Sequence, residues 1–363
     1  MNILIDGRTF SLQSKGGVSS LWSRLILEMD KDPNKSVRVV VYPAWRDNIH
    51  LAGIMPSLTK TEFIELDIPS SDNTNYYTKA AAEQRRETVK ARLDGPVHIQ
   101  LNTYYGESLL PTSQAPYIVV AHDFAHRDLA IFAERPTTAH VIRLQDEAFQ
   151  AANGIIPISI FTRSRLLHYL RPKGVVRTIH HGNDVKTYDV ERKKRLCFIG
   201  ARGLYKNFDA VYRNQDLIAR LGLELLVLGG ETPDDEFLKA AERIKVTHRA
   251  NLTDDEIGAE LAGSQFYLST SLYEGFGLPL LQALAFGVTP VITDIPPYRE
   301  IAGDQALYFG GDTGRRFADA LQMIADGHDL GERAAVSRPW SSVYREYASF
   351  FEDVSALWSA GQC

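Results

Sequence analysis

Cysteine is nearly absent from this sequence: of 363 residues only Cys197 and Cys363 are cysteine. Two thiols cannot build a disulfide framework or a cysteine-rich metal cluster, so a reducing compartment is expected. Long apolar runs are missing too; none approaches the roughly 20 residues that a bilayer-spanning helix needs. Nor is there an excess of positive charge. Lys and Arg number 40 against 45 Asp and Glu, a net charge of -5, which excludes the strongly basic footprint of a nucleic-acid binder. The first residues run into an apolar stretch, Ile3-Leu4-Ile5, without the basic head and long apolar core of a signal peptide. The expected location is the cytoplasm, at most in peripheral contact with the inner face of a membrane. The aromatic segment Leu21-Trp22 with Leu25-Ile26 is open to either core or lipid, core being the expected side.

What is present is the pattern of a doubly wound α/β chain. Its length suits two domains of similar size. Strand-like apolar runs fall at 3–5, 37–42, 61–66, 97–101, 116–121 and 154–158, then at 195–200, 223–228, 244–248, 265–269, 289–293 and 306–309. Helical periodicity fills the gaps at 17–30, 76–93, 138–151, 160–170, 207–221, 254–262, 278–286 and 313–326. Such alternation predicts parallel sheets covered on both faces. The polar stretch 184–195, with Glu191-Arg192-Lys193-Lys194-Arg195, marks a boundary between domains 1–184 and 185–340. The amphipathic segment 341–360, carrying Tyr344, Tyr347, Phe350, Phe351, Val354 and Leu357, predicts a final helix returning to the first domain. Ligands of such sheets bind at the carboxyl ends of the strands.

Four motifs sit just after predicted strands. In Tyr273-Glu274-Gly275-Phe276-Gly277-Leu278-Pro279, the glycines allow close backbone approach and the proline suits the first turn of a helix. A helix starting near Leu278 aims free N–H groups and its positive dipole end at a diphosphate. Glu274 repels phosphate, so it is suited to sugar hydroxyls. After the run ending at Gly200, Arg202 and Lys206 offer two cations beside a helix start, as a leaving diphosphate requires. His122, followed by Asp123, ends the run 116–121. Lys15-Gly16-Gly17-Val18 opens the first helix, and it is not the Gly-x-Gly-x-x-Gly of a nicotinamide-binding fold.

Together these residues resemble the signature of retaining glycosyltransferase family 4, whose GT-B fold has two Rossmann-like domains facing a central cleft. Glu274 matches the first glutamate of the family's Glu-x7-Glu element, and Gln282 stands where the second is expected. The resemblance implies that Glu274 reads the donor sugar while position 282 meets the nucleotide ribose. Gln282 keeps an amide acceptor there without the charge. It also implies that Lys206, and more loosely Arg202, neutralise the diphosphate, that His122 reaches the donor sugar with Asp123 orienting it, and that Gly16 and Gly17 approach the donor phosphate. Gly200, Gly275, Phe276, Gly277 and Leu278 complete the expected donor-binding set. Pro157-Ile158-Ser159 with Thr162, His180-His181-Gly182-Asn183-Asp184 and Pro297–Asp304 resemble further family segments, in the last of which Glu300 either touches the donor or caps a helix.

His122-Asp123-Phe124 with Tyr205-Lys206-Asn207-Phe208 looks like the branch that builds bacterial surface polysaccharides, often from GDP-mannose. The function implied is transfer of a hexose, mannose first, from a nucleotide diphosphate sugar to a saccharide or lipid-linked saccharide. No cofactor and no metal are expected. Asp30-Lys31-Asp32 lacks the strand context of a metal-binding Asp-x-Asp and reads as a surface turn, and His180-His181 lacks a third ligand. Configuration is expected to be retained by front-face attack, the departing phosphate taking the acceptor's proton. A GT-B nucleotide-sugar epimerase and a noncatalytic nucleotide-sugar binder are the alternatives.

Overall fold

The computed structural model describes residues 1–67, 79–183, 186–230, 232–310, 315–327 and 336–362. Asp184, Cys363 and the starts of the helices expected from 76 and 313 lie outside the described residues. The chain divides into two units, Met1–Gly182 with Trp340–Cys363, and Asn183–Pro339.

The first unit is built on seven parallel strands: β1 (Asn2–Asp6), β2 (Ser36–Val41), β3 (Glu62–Glu65), β4 (Ile99–Asn102), β5 (Tyr117–Ala121), β6 (Gly154–Pro157) and β7 (Val175–Val176). Their order is β3-β2-β1-β4-β5-β6-β7. Every residue of β4, β5 and β6 is buried; β5 is accordingly apolar without alternation, while the buried Gln100 and Asn102 of β4 donate hydrogen bonds to Leu110 O and Ala115 O and to the Tyr117 hydroxyl. The helix Gly17–Lys31 buries Leu21, Trp22, Leu25, Ile26 and Met29 completely. Its aromatic face is thus committed to protein core, not lipid. Each such side chain contributes about 1.5–3 kcal/mol. The helix Trp340–Ser359 belongs to the same unit, burying Tyr347, Phe350, Phe351 and Val354. Gly154 lets it lie close: a Cβ there would come within 2.8 Å of the Val354 side chain.

Asp30 and Asp32 are not the surface turn their sequence suggested. Asp30 is 2% exposed and accepts from the backbone N–H groups of Thr59, Lys60 and Thr61 and from both threonine hydroxyls. Burial opposes its ionisation, but these five bonds outweigh burial and hold the carboxyl well below the usual range. Asp32 accepts from the Tyr344 phenol at 2.6 Å. The pair braces a loop and the last helix.

The second unit repeats the plan with β8 (Lys193–Ile199), β9 (Glu224–Leu228), β10 (Val246–Arg249), β11 (Ser264–Ser269), β12 (Thr289–Thr293) and β13 (Leu307–Phe309), all parallel, in the order β10-β9-β8-β11-β12-β13. The charge run that leads into and opens β8 is put to structural use. Arg192 donates to Gly287 O at 2.9 Å, Lys194 to Leu221 O at 2.9 Å, and Arg195 pairs with Glu260. These cations satisfy carbonyls at helix ends, where the dipole favours positive charge. The helix expected over 207–221 is broken into Asp209–Arg213 and Gln215–Arg220. Asn214 interrupts it by turning its own side-chain amide onto Ala210 O at 2.8 Å. Helices at Asp235–Ala241 and Pro296–Ala302 were not anticipated, being short and lacking a long apolar period.

In each sheet the strand order reverses once, between β1 and β4 and between β8 and β11. Chains leaving the carboxyl ends of two such strands turn to opposite faces, opening a crevice for ligands. The Gly16-Gly17 loop leaves β1, and the loops of Lys206 and Glu274 leave β8 and β11; His122 follows β5, one strand beyond β4.

Candidate active site

In the second unit two loops form the site, one leaving β8 and one leaving its neighbour β11. Gly200 ends β8 at φ +118° and donates to Leu228 O at 2.9 Å. A Cβ there would meet nothing within 4 Å, so glycine serves its backbone angle and not its space. Leu204 and Asn207 both adopt left-handed angles, φ 57° and 51°, and wind the loop into a single 3₁₀ turn at Leu204–Lys206. Two bonds then dock this turn on the β11 loop: Leu272 N–H to Tyr205 O at 2.8 Å, and Thr270 Oγ1 to Lys206 O at 2.6 Å.

This docking brings Lys206 Nζ to 2.7 Å from Glu274 Oε1, with the two side chains 24% and 17% exposed. Glu274 Oε1 also accepts from the Tyr298 phenol at 3.3 Å. Its second oxygen, Oε2, makes no hydrogen bond among the described residues. The pair is poised to exchange partners: a half-buried ammonium can turn to an arriving anion, while the carboxylate keeps a neutral donor.

Three residues on, Gly277 sits at φ +127°, and a Cβ there would come within 2.8 Å of the Tyr298 ring. Only glycine lets the chain pass this close, and the helix Leu278–Ala285 begins at once, with Pro279 in its first turn. No side chain caps it, so its first N–H groups and positive end are open to an anion. Gln282 lies one turn along on the Leu278 face. It is half-buried, and its amide makes no hydrogen bond among the described residues. The Phe276 side chain is 4% exposed, leaving mainly backbone to a ligand.

Arg202 is not brought to this group. It is 6% exposed, donates to Thr232 O at 2.8 Å, lies 3.9 Å from Asp234 and stacks 4.7 Å over the Phe237 ring. Its charge ties the β8 loop to the β9 loop. Gly230 supports that seam, since a Cβ there would strike Gly200 O at 2.5 Å. Tyr298 and Ser269 were missed as site residues. Tyr298 arrives from a helix 24 residues after Glu274, announced only by Pro296-Pro297, and Ser269 looks like any polar residue ending a strand.

In the first unit, His122 follows β5 and is 5% exposed. Its Nε2 lies 3.3 Å from Thr103 O, so that nitrogen carries the proton and Nδ1 is left as an acceptor. Asp123 does not orient the ring; its Oδ1 accepts from the Ala125 N–H at 2.9 Å. Burial pulls the imidazole pKa down to about 4, against the raising effect of the Thr103 carbonyl. The ring is therefore neutral at physiological pH. A depressed histidine pKa means the unfolded chain binds more protons between pH 6.5 and about 4. Stability is therefore full above pH 6.5 and falls by up to ~3 kcal/mol as pH drops through that window. His122→Phe leaves Thr103 O its 3.0 Å bond from Trp22 Nε1. Melting curves of this variant should show a flatter acid limb than wild type; an unchanged limb contradicts the neutral, buried ring.

Gly17 opens the helix Gly17–Lys31 behind Gly16, with no acidic residue in its first turn. His181 is buried against Trp340, ring centroids 6.3 Å apart. Among the described residues, no three His, Cys, Asp or Glu side chains are grouped to hold a metal ion. No described helix is long and apolar enough to cross a membrane.

Residues 183–333, nearly the whole of the second unit, match the family described as Glycosyl transferases group 1. The second unit is a group 1 glycosyl transferase domain. In this domain the group 1 match takes in both the Lys206 and the Glu274 loops. Part of the chain is 28% identical over 123 residues to GDP-mannose:cellobiosyl-diphosphopolyprenol alpha-mannosyltransferase of Xanthomonas oryzae pv. oryzae, covering 31% of this chain and 32% of that one. It is 21% identical over 248 residues to O-antigen chain mannosyltransferase B of Escherichia coli, covering 61% and 65%. The chain thus spans less than two thirds of the length of either relative. Over nearly its whole length the chain shares the fold of sucrose-phosphate synthase from Thermosynechococcus elongatus, with a TM-score of 0.67, 14% identity, and 99% and 98% of the two chains covered. This is the GT-B fold, two doubly wound α/β units in one chain.

Proposed function

We propose that the protein transfers a hexose, mannose first, from a nucleoside diphosphate sugar such as GDP-mannose to a saccharide or lipid-linked saccharide in surface-polysaccharide synthesis. The observation that carries this reading is the Lys206–Glu274 pair beside the uncapped start of the helix Leu278–Ala285. A cation and a helix N-terminus suit a diphosphate; a carboxylate with one uncommitted oxygen suits sugar hydroxyls. The mannosyltransferase names of the two relatives support the choice of sugar. Neither is an epimerase or a binding protein, so those alternatives draw no support.

In the proposed reaction the acceptor hydroxyl attacks the anomeric carbon on the face from which the phosphate departs. The bond from that carbon to the phosphate oxygen breaks, the new glycosidic bond forms, and the acceptor's proton passes to the phosphate. Configuration is retained. Lys206 and the helix N-terminus hold the charge that builds on the phosphate, so no metal is invoked. Glu274 Oε2 accepts from hexose hydroxyls, and Gln282 offers its amide to the ribose. In the first unit, His122 is the proposed sugar ligand through Nδ1, and the Gly16–Gly17 helix start the proposed phosphate contact.

A thermal-shift screen tests the donor class, because a ligand that binds only the folded state raises its stability. GDP-mannose at about 100 times its dissociation constant should stabilise by about 2.7 kcal/mol, more than UDP-glucose or UDP-GlcNAc at the same concentration. A melting temperature indifferent to every nucleotide sugar contradicts the reading.

A further inference from the structure

The Tyr298 phenol sits where Glu274 is held. Its Oη lies 2.6 Å from Ser269 Oγ and 3.3 Å from Glu274 Oε1. Ser269 Oγ in turn is 3.5 Å from the Ser271 N–H and 3.2 Å from the Ser271 hydroxyl. A phenol has one proton and a carboxylate can only accept. With the proton of Tyr298 on Glu274, the phenol oxygen is left to accept from Ser269, whose one hydroxyl proton is shared between Tyr298 Oη and Ser271 Oγ.

We infer that Tyr298 is a positioning residue for Glu274, fixing Oε1 so that Oε2 stays aimed for a hexose hydroxyl when a diphosphate draws Lys206 away. The inference rests on the reading of Glu274 as the sugar-binding carboxylate. Oε1 has two partners, Lys206 and Tyr298. Only the ammonium can follow an anion; the phenol cannot. Its ring is wholly buried, Gly277 backbone lies against it, and its own carbonyl accepts from the Tyr308 phenol at 3.3 Å. Burial, and then the nearby Glu274 charge, push the Tyr298 pKa well above the usual phenol value. It therefore remains a donor throughout the working range. A fixed neutral donor holds a carboxylate without cancelling its charge, leaving Glu274 a strong acceptor.

Tyr298→Phe removes the hydroxyl and keeps the ring against Gly277, so a fold near wild type is expected. The measurement is calorimetric affinity for GDP and for GDP-mannose, with kcat and KM for transfer. GDP affinity should stay within about twofold, while GDP-mannose affinity or kcat falls about tenfold, the loss of one hydrogen bond to a charged group. Ser269→Ala, which removes the donor to the phenol, should shift the same quantities in the same direction by less. It also carries the test should Tyr298→Phe fail to fold. Equal losses for GDP and GDP-mannose would mean that Tyr298 merely supports the loop, and would overturn the inference. So would wild-type affinities and kcat in both variants. Wild-type protein that binds neither probe overturns the proposed function and this inference with it. Wild-type binding without discrimination in the variants overturns the inference alone.

Discussion

Glu274→Ala should reduce hexose transfer by a factor of about 10²–10³ while leaving the melting temperature close to that of wild type. The asymmetry follows from what each neighbour retains. Lys206 loses its counter-charge, but its side chain is 24% exposed and water can hydrate it. Tyr298 keeps Ser269 as a partner at 2.6 Å. The bonds that hold the loop, Leu272 N–H to Tyr205 O and the Thr270 hydroxyl to Lys206 O, do not involve the carboxylate. What disappears is an acidic acceptor whose Oε2 is uncommitted among the described residues. Glu274→Gln should fall between, because an amide oxygen still accepts from Tyr298 but carries no charge. Steady-state transfer rates beside melting curves decide it. Wild-type turnover in Glu274→Ala removes this residue from the site.

Lys206→Ala should lower kcat by a similar factor, and it should also weaken the binding of free GDP, which Glu274→Ala should not. The difference separates the two ends of the donor. Lys206 is assigned to the diphosphate, where charge accumulates as the glycosidic bond breaks, and Glu274 to the sugar. The loop survives the change because Lys206 uses its main chain to dock, its N–H on Gly203 O at 3.2 Å and its carbonyl under Thr270. Lys206→Arg should restore only part of the activity. A planar, forked guanidinium cannot take the point-like position of an ammonium 2.7 Å from Glu274 Oε1 without moving the turn. Unaltered GDP affinity in Lys206→Ala would contradict its assignment to the phosphate.

The strands were legible in the sequence because parallel sheets buried on both faces demand continuous apolar runs, as in Tyr117–Ala121. The helix start at Leu278 was legible from its glycines and proline. Side-chain direction was not. Arg202 and Lys206 are four residues apart in one loop and both read as diphosphate cations, Arg202 the more loosely, yet the left-handed turn at Leu204 lies between them and one stacks over Phe237 while the other reaches Glu274. Nothing local to a sequence reports such a divergence. Asp30 was misjudged for a related reason: the partners that bury it stand 29 to 31 residues away, in Thr59-Lys60-Thr61. The short helices at 235–241 and 296–302 carry too few turns for an apolar period to show.

The central claim is that the Lys206–Glu274 loops hold a nucleoside diphosphate sugar for transfer. Its most direct test is to incubate the protein with GDP-mannose labelled in the hexose and a lipid-linked saccharide acceptor, in excess EDTA, and to follow the label. Acceptor-dependent incorporation is predicted, with the product carrying the anomeric configuration of the donor, and with Lys206→Ala and Glu274→Ala both reduced about 100-fold or more. Label that stays on the nucleotide, or incorporation at wild-type rates in both variants, would contradict the account.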